Sequence, residues 1–200
     1  MNQHLLSGLP RRFVFWPSLL CALLLLSPLR AQARSPQPEL AAGADVAKVL
    51  YVGFPPPAGV AQHLVKAIDQ AQTEVLVQAY GFTHNAIAQA LVRAHQRGAK
   101  VQVLLDEKSD ATNRYVIGLL HAAGIPIRLD GAHAIAHNKV MVIDSGHSDC
   151  AVITGSFNFT YAAQHRNAEN ALILRGNPPL CEAYFRNWRH HQVHARAASR

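Results

Sequence analysis

Apolar and polar positions follow two rhythms along this chain. From Val46 to Leu129, short apolar runs alternate with longer segments whose apolar residues recur every three or four positions. Val46–Phe54 predicts a first strand, stopped by Pro55-Pro56-Pro57. Val60 to Gln72 carries Val60, Leu64, Val65, Ala67, Ile68 and Ala71 at helical spacing. A second strand, Val75–Tyr80, is followed by a helix over Asn85–Arg97 with Ile87, Ala90, Leu91 and Ala94 inward and Gly98 placed to cap it. A third strand, Val101–Leu105, is almost wholly apolar, as expected when both faces of a sheet are covered. A polar loop over Asp106–Asp110, a helix over Ala111–Ala123 and a strand over Ile125–Leu129 complete this part.

After residue 130 the rhythm changes. Val140–Ile143, Ala151–Thr154 and Ala171–Leu174 read as strands without long helices between them, and Ser145–Asp149 as a hairpin loop. A last helix begins near Pro178-Pro179 and runs through Phe185 and Trp188. Repeated β–α units followed by strand-only connections predict an α/β fold: one mixed β-sheet flanked by helices. One domain over residues 46–194 is expected, with a tail at 195–200; no internal repeat and no Gly-rich phosphate loop is present.

The first 45 residues fit neither rhythm. Residues 13–29 are nearly all apolar, Arg11-Arg12 precede them, and Ala31-Gln32-Ala33 follows. That order predicts a secretory signal peptide over residues 1–33, a flexible lead-in at 34–45, and a periplasmic or secreted product. An uncleaved anchor is the alternative, but Pro17, Ser18, Ser27 and Pro28 interrupt the run. Membrane contact is therefore expected only transiently, through this segment. The net charge of the whole chain is +7. Cleavage removes three arginines and no acid, leaving 16 basic against 12 acidic residues, or +4. A mildly basic surface permits a polyanionic partner. Cys150 and Cys181 are the cysteines that remain; either one disulfide or two buried thiols is compatible with their positions.

The chemistry concentrates in three stretches. The first is His137-Asn138-Lys139-Val140-Met141-Val142-Ile143-Asp144. In a strand, residues two apart share a face, so His137 and Lys139 are expected to project together while the apolar run enters the sheet. A nucleophile beside a fixed cation suits attack on a phosphate. With 12 His, 5 Lys and 7 Asp in the chain, this spacing arises by chance in roughly 1% of such sequences. Alone it decides nothing. Gly155-Ser156-Phe157-Asn158 and Asn167-Ala168-Glu169-Asn170 downstream make coincidence a poor account.

Together these residues resemble the phospholipase D superfamily, whose pattern is H-x-K-x4-D followed by G-S-x-N, and within it the single-motif bacterial secreted endonucleases of the Nuc branch. Tyr51-Val52-Gly53-Phe54, Ala79-Tyr80-Gly81-Phe82-Thr83, Phe159-Thr160 and Glu169-Asn170 also look like that branch. The resemblance implies a metal-independent phosphodiesterase without cofactor. His137 would form a covalent phosphohistidine, Lys139 and Asn158 would hold the phosphate oxygens, and Glu169 would accept from the far nitrogen of His137. Ser156 would support that network, and Arg166 would add a substrate contact. Asp144 reads as a scaffold residue at a strand end.

The chain holds no second H-x-K, so the resemblance implies a homodimer that brings two His137 side chains together; His84 or His133 is the intrachain alternative for the proton donor. Nucleic acid, DNA or RNA, is the expected substrate, and a phospholipid such as cardiolipin the alternative. A non-catalytic nucleic-acid-binding module is the third reading, weakened by the presence of all four central residues.

Overall fold

The computed structural model of the chain describes residues 48–54 and 59–198. The expected signal peptide, the lead-in and the three-proline stop lie outside the described residues. The strands are β1 (Lys48–Gly53), β2 (Glu74–Ala79), β3 (Lys100–Asp106), β4 (Ile127–Asp130), β5 (Lys139–Ile143), β6 (Ala151–Gly155), β7 (Ala171–Arg175) and β8 (Arg196–Ala197). The helices are α1 (Val60–Asp69), α2 (Asn85–Gln96), α3 (Asp110–Ala122), α4 (Tyr161–His165) and α5 (Pro178–His194). The eight strands of the described residues form one sheet in the order β1-β7-β6-β5-β2-β3-β4-β8. β2, β3 and β4 run parallel, as β–α units require, and the remaining pairings are antiparallel.

The period of two along β2 sorts its side chains between two cores. Val75, Val77 and Ala79 join the larger cluster with Leu64 and Ile68 of α1, Ile87 and Leu91 of α2, and Val116 and Leu120 of α3. Leu76 faces the other way, against Leu104, Val140, Val142 and Trp188 of α5. Helices therefore cover both faces, which explains why the central strands read as continuous apolar runs. Trp188 is anchored as well as buried, its indole Nε1 donating to the Val77 carbonyl at 2.9 Å.

Two segments go beyond the sequence expectation. Residues 161–165 form a short helix, capped by the Thr160 hydroxyl, which accepts from the Ala163 amide at 3.1 Å. The expected tail at 195–200 instead contributes β8, where Leu129 pairs with Arg196 and Arg128 with Ala197. A two-residue strand has no periodicity to detect. Its position is fixed from outside, by the ion pair of Arg196 with Glu107 at 2.7 Å and by the Arg128 guanidinium donating to the Ala195 carbonyl.

Cys150, just before β6, and Cys181, in the first turn of α5, form a disulfide with a Cα–Cα distance of 6.4 Å. The bond fastens α5 to the sheet beside Val152. It closes a loop of 31 residues in the unfolded chain. Reduction, or Cys150→Ser with Cys181→Ser, is expected to lower unfolding free energy by about 3 kcal/mol. Urea midpoints with and without reductant measure it, and coincident curves refute it.

Candidate active site at the open edge of the sheet

Strand register assembles the site. Ala79, at the end of β2, pairs with Lys139 at the start of β5. Gly155, at the end of β6, pairs with Ala171 at the start of β7. Four segments therefore open at one edge: 80–84 after β2, 131–138 before β5, 156–160 after β6 and 166–170 before β7. They carry Tyr80, His137, Ser156 with Asn158, and Glu169.

The segments are stitched together by backbone. The amides of Thr83 and His84 both donate to the Phe159 carbonyl, at 3.0 and 2.9 Å. The amides of Ser156 and Phe157 both donate to the Asn170 carbonyl, at 3.1 and 3.2 Å. This second clamp needs a glycine. Gly155 has φ +144°, and a Cβ there would lie 2.3 Å from the Asn170 oxygen.

His137 lies in the coil before β5, which begins at Lys139. Of the pair expected on one strand face, only Lys139 therefore lies in the strand: His137 is exposed, whereas Lys139 is only 7% exposed. Local contacts bring them together instead. The Lys139 Nζ donates to the His137 carbonyl at 2.6 Å. The Tyr80 ring packs against the His137 imidazole with centroids 4.6 Å apart, and the same ring lies 5.3 Å from the Lys139 Nζ. Burial pushes the Lys139 ammonium below the usual lysine range, and the Glu169 charge partly offsets this.

Glu169 is half-buried and held from two sides, by the Ser156 Oγ and by the Asn167 Nδ2 at 3.0 Å. Ser156 in turn accepts from the Asn170 amide at 3.0 Å. Among the described residues no bond joins Glu169 to the His137 ring. Asn158 is half-buried, its Oδ1 facing the Gly81 amide at 3.4 Å. Arg166 ends α4, is exposed, and has no acidic partner among the described residues.

Asp144 stands apart. It is five residues along the strand from Lys139, about 17 Å at the usual rise. Its carboxylate accepts from the amides of Gln72, Thr73 and Glu74 and from the Thr73 hydroxyl, at 2.7 to 3.1 Å. Burial alone would raise its pKa; the backbone and hydroxyl donors outweigh burial and hold it below the usual Asp range. Its φ of +53° is the sole positive value among described non-glycine residues.

Sequence reasoning missed the support behind Tyr80. Asn113 of α3 is fully buried; its Oδ1 accepts from the Phe82 amide at 2.8 Å and its Nδ2 donates to the Tyr80 carbonyl at 3.1 Å. Ser109 donates to the same carbonyl at 2.7 Å. Asp106, at the end of β3, accepts from the Ala136 amide at 2.7 Å and so pins the segment leading into His137. The available signal was a polar residue at an inward helical position: Asn113 precedes Val116, Ile117 and Leu120 at i+3, i+4 and i+7.

Fold and site together define a phospholipase D-like domain. A family profile described as cardiolipin synthase, PLD-like domain, matches residues 64–190, and the chain belongs to this family within the phospholipase D superfamily. The structure of Nuc from Salmonella typhimurium, a phospholipase D family member, superposes with a TM-score of 0.72 at 33% identity, covering 77% of this chain and 99% of that one. A Rickettsia conorii protein named phospholipase D is 42% identical over 135 residues, 68% of this chain and 65% of its own length. The human mitochondrial cardiolipin hydrolase is 32% identical over 143 residues, 72% of this chain and 54% of its own length. The chain thus spans just under two thirds of the bacterial relative and about half of the human one.

Proposed function

We propose that the protein is an exported, metal-independent phosphodiesterase that cleaves nucleic acid through a phosphohistidine, with its active site completed by a second copy of the chain. The observation that carries this reading is the convergence of His137, Lys139, Asn158 and Glu169 on one open sheet edge.

The steps follow from those groups. An imidazole nitrogen of His137 attacks phosphorus and expels the leaving alkoxide, forming the P–N bond as the P–O bond breaks. Lys139 and Asn158 donate to the non-bridging oxygens, where fixed donors stabilise developing charge. The leaving oxygen takes a proton from the partner subunit's His137. Water then attacks the phosphohistidine, giving up its proton to that second imidazole, and His137 is released. Lys139 and the partner subunit's Lys139 supply the positive charge a metal supplies elsewhere.

The intrachain acids fit less well. Burial pushes the His84 imidazole below the usual histidine range, and His165 adds to this, which disfavours its acid form. His133 groups with Asp130, three strands away from Lys139. Exposed apolar side chains on the site's rim, Ile135 and Tyr161, suit a two-fold contact. The disulfide is the chemistry of an oxidising compartment and supports export. An exposed Arg166, without an acidic partner among the described residues, and a basic mature chain favour a polyanionic backbone as substrate.

A phospholipid substrate is the second reading, favoured by relatives named phospholipase D and cardiolipin hydrolase. No described helix is long and apolar enough to cross a membrane. One parallel assay separates the readings: wild type and His137→Ala, in EDTA, with plasmid, RNA and cardiolipin vesicles. Cleavage of nucleic acid by wild type alone is expected. Cleavage of lipid only reverses the assignment, and nuclease activity that EDTA abolishes and Mg2+ restores overturns metal independence.

A further inference from the structure

A second constellation of chemistry lies outside the active site. Asp130 ends β4, His133 follows in the 131–138 loop, and His191 with His194 occupies the last turns of α5. One ligand atom from each lies within 4.8 Å of the other three. The His191 Nδ1 is 2.6 Å from the Asp130 Oδ2, and the His194 Nε2 is 3.1 Å from the Asp130 Oδ1. The His133 ring faces both, with centroids 5.0 Å from His191 and 5.6 Å from His194.

The sequence brings these residues together for identifiable reasons. His191 and His194 are three apart, so one helix face presents both. β8 pairs with β4 directly after the helix, which returns the end of α5 to Asp130. Asp130 is only 1% exposed, an expensive place for a carboxylate unless it is compensated. His133, by contrast, is exposed, so an entry path from solvent exists.

We propose that Asp130, His133, His191 and His194 bind Zn2+ or a chemically similar divalent transition ion, which clips the His137-bearing loop to the C-terminal helix. Three imidazoles and one carboxylate are a tetrahedral donor set for such an ion. Metal–ligand bonds of ~2.0–2.1 Å imply ligand–ligand edges of ~3.3 Å, so the present separations need adjustments on the order of 1 Å. Each ring binds the ion as a neutral imidazole through the nitrogen nearest the site and keeps its one proton on the other nitrogen, and a second proton, where a ring carries one, is released to solvent. With four protein ligands the site is closed, which marks a structural role.

The clip is remote from the proposed chemistry. Asp130 pairs with Asp106, the neighbouring Leu105 pairs with Ala79, and Ala79 pairs with Lys139. Three strand spacings separate the cluster from Lys139, about 14 Å. A metal here touches no phosphate at His137, so this proposal stands or falls independently of the nuclease reading.

The test is direct binding to the full mature chain after EDTA treatment and its removal. Equilibrium dialysis against micromolar Zn2+, with elemental analysis, is expected to give one ion per chain. Co2+ is expected to give the visible absorption of a four-coordinate nitrogen–oxygen site. His133→Ala and His194→Ala are each expected to weaken binding by at least the ~10–100-fold that even an outer-shell partner is worth. His147→Ala, a distant exposed histidine, is expected to change nothing. His133 is exposed, so the melt of His133→Ala in EDTA should coincide with that of wild type, while Zn2+ raises the wild-type Tm alone; His194→Ala also removes a partner of Asp130, so its effect is read from the dialysis. No bound ion at micromolar Zn2+, or full binding by the His133→Ala/His194→Ala double variant, overturns the proposal.

Discussion

An equal mixture of wild-type and His137→Asn chains, unfolded and refolded together, is expected to cleave at about one quarter of the all-wild-type rate. The number follows from symmetry. If one catalytic centre needs two His137 side chains, one as nucleophile and one as acid, only wild-type pairs are active, and random pairing makes these a quarter of all dimers. Self-sufficient chains would give one half. The pure His137→Asn protein sets the floor, with a loss on the order of 10⁴-fold or more, because it removes the proposed nucleophile and with it the proposed covalent route. His137 is exposed, so the substitution leaves the core untouched. A measured rate of one half in the mixture rejects the shared centre and returns the acid role to a residue of the same chain.

Asp144→Ala is expected to act on the other quantity, stability. The substitution removes the acceptor for the Gln72, Thr73 and Glu74 amides, which enter β2. It also leaves a non-glycine residue at φ +53° without the side chain that stabilises it. A loss of about 4 kcal/mol follows from several charge-assisted bonds lost together. The pH dependence has a definite sign. Asp144 titrates lower in the folded chain than an unfolded Asp, so its contribution is complete above the ordinary Asp range and is lost as pH falls through the folded value. Asp144→Asn is therefore expected to flatten the acid limb of the stability curve. Urea unfolding across pH measures both effects. Turnover per folded molecule should change little; a large fall in turnover at unchanged stability would place Asp144 in the chemistry instead.

These two residues show what the sequence made legible. The x4 between Lys139 and Asp144 is an apolar run of strand length, and it placed Asp144 at the far end of β5 as scaffold. The central strands and first three helices were equally readable, because burial on both faces leaves long apolar runs and helical spacing leaves its period. What failed had no period. His137 falls outside the strand, so its pairing with Lys139 depends on a carbonyl and on Tyr80, contacts that alternation does not encode. Asn113 acts through backbone groups 31 and 33 residues away. β8 exists because Arg196 and Arg128 find partners elsewhere in the fold. The cysteines were visible, but whether they bond depends on where α5 docks.

The loop from Gly131 to Asn138 has a length with a meaning. Its eight residues cross two intervening strands, about 14 Å, although eight extended residues reach roughly 26–29 Å. The slack is taken up at anchor points: Ala134, whose carbonyl accepts from Lys108, and Ala136, whose amide donates to Asp106. Insertions ahead of Ala134 lengthen a bulge and leave His137 in place. A single residue added after Ala136 moves His137 off its Tyr80 seat. The gauge of this loop is therefore set over three residues, and the tolerance of the chain to indels should change abruptly at Ala136.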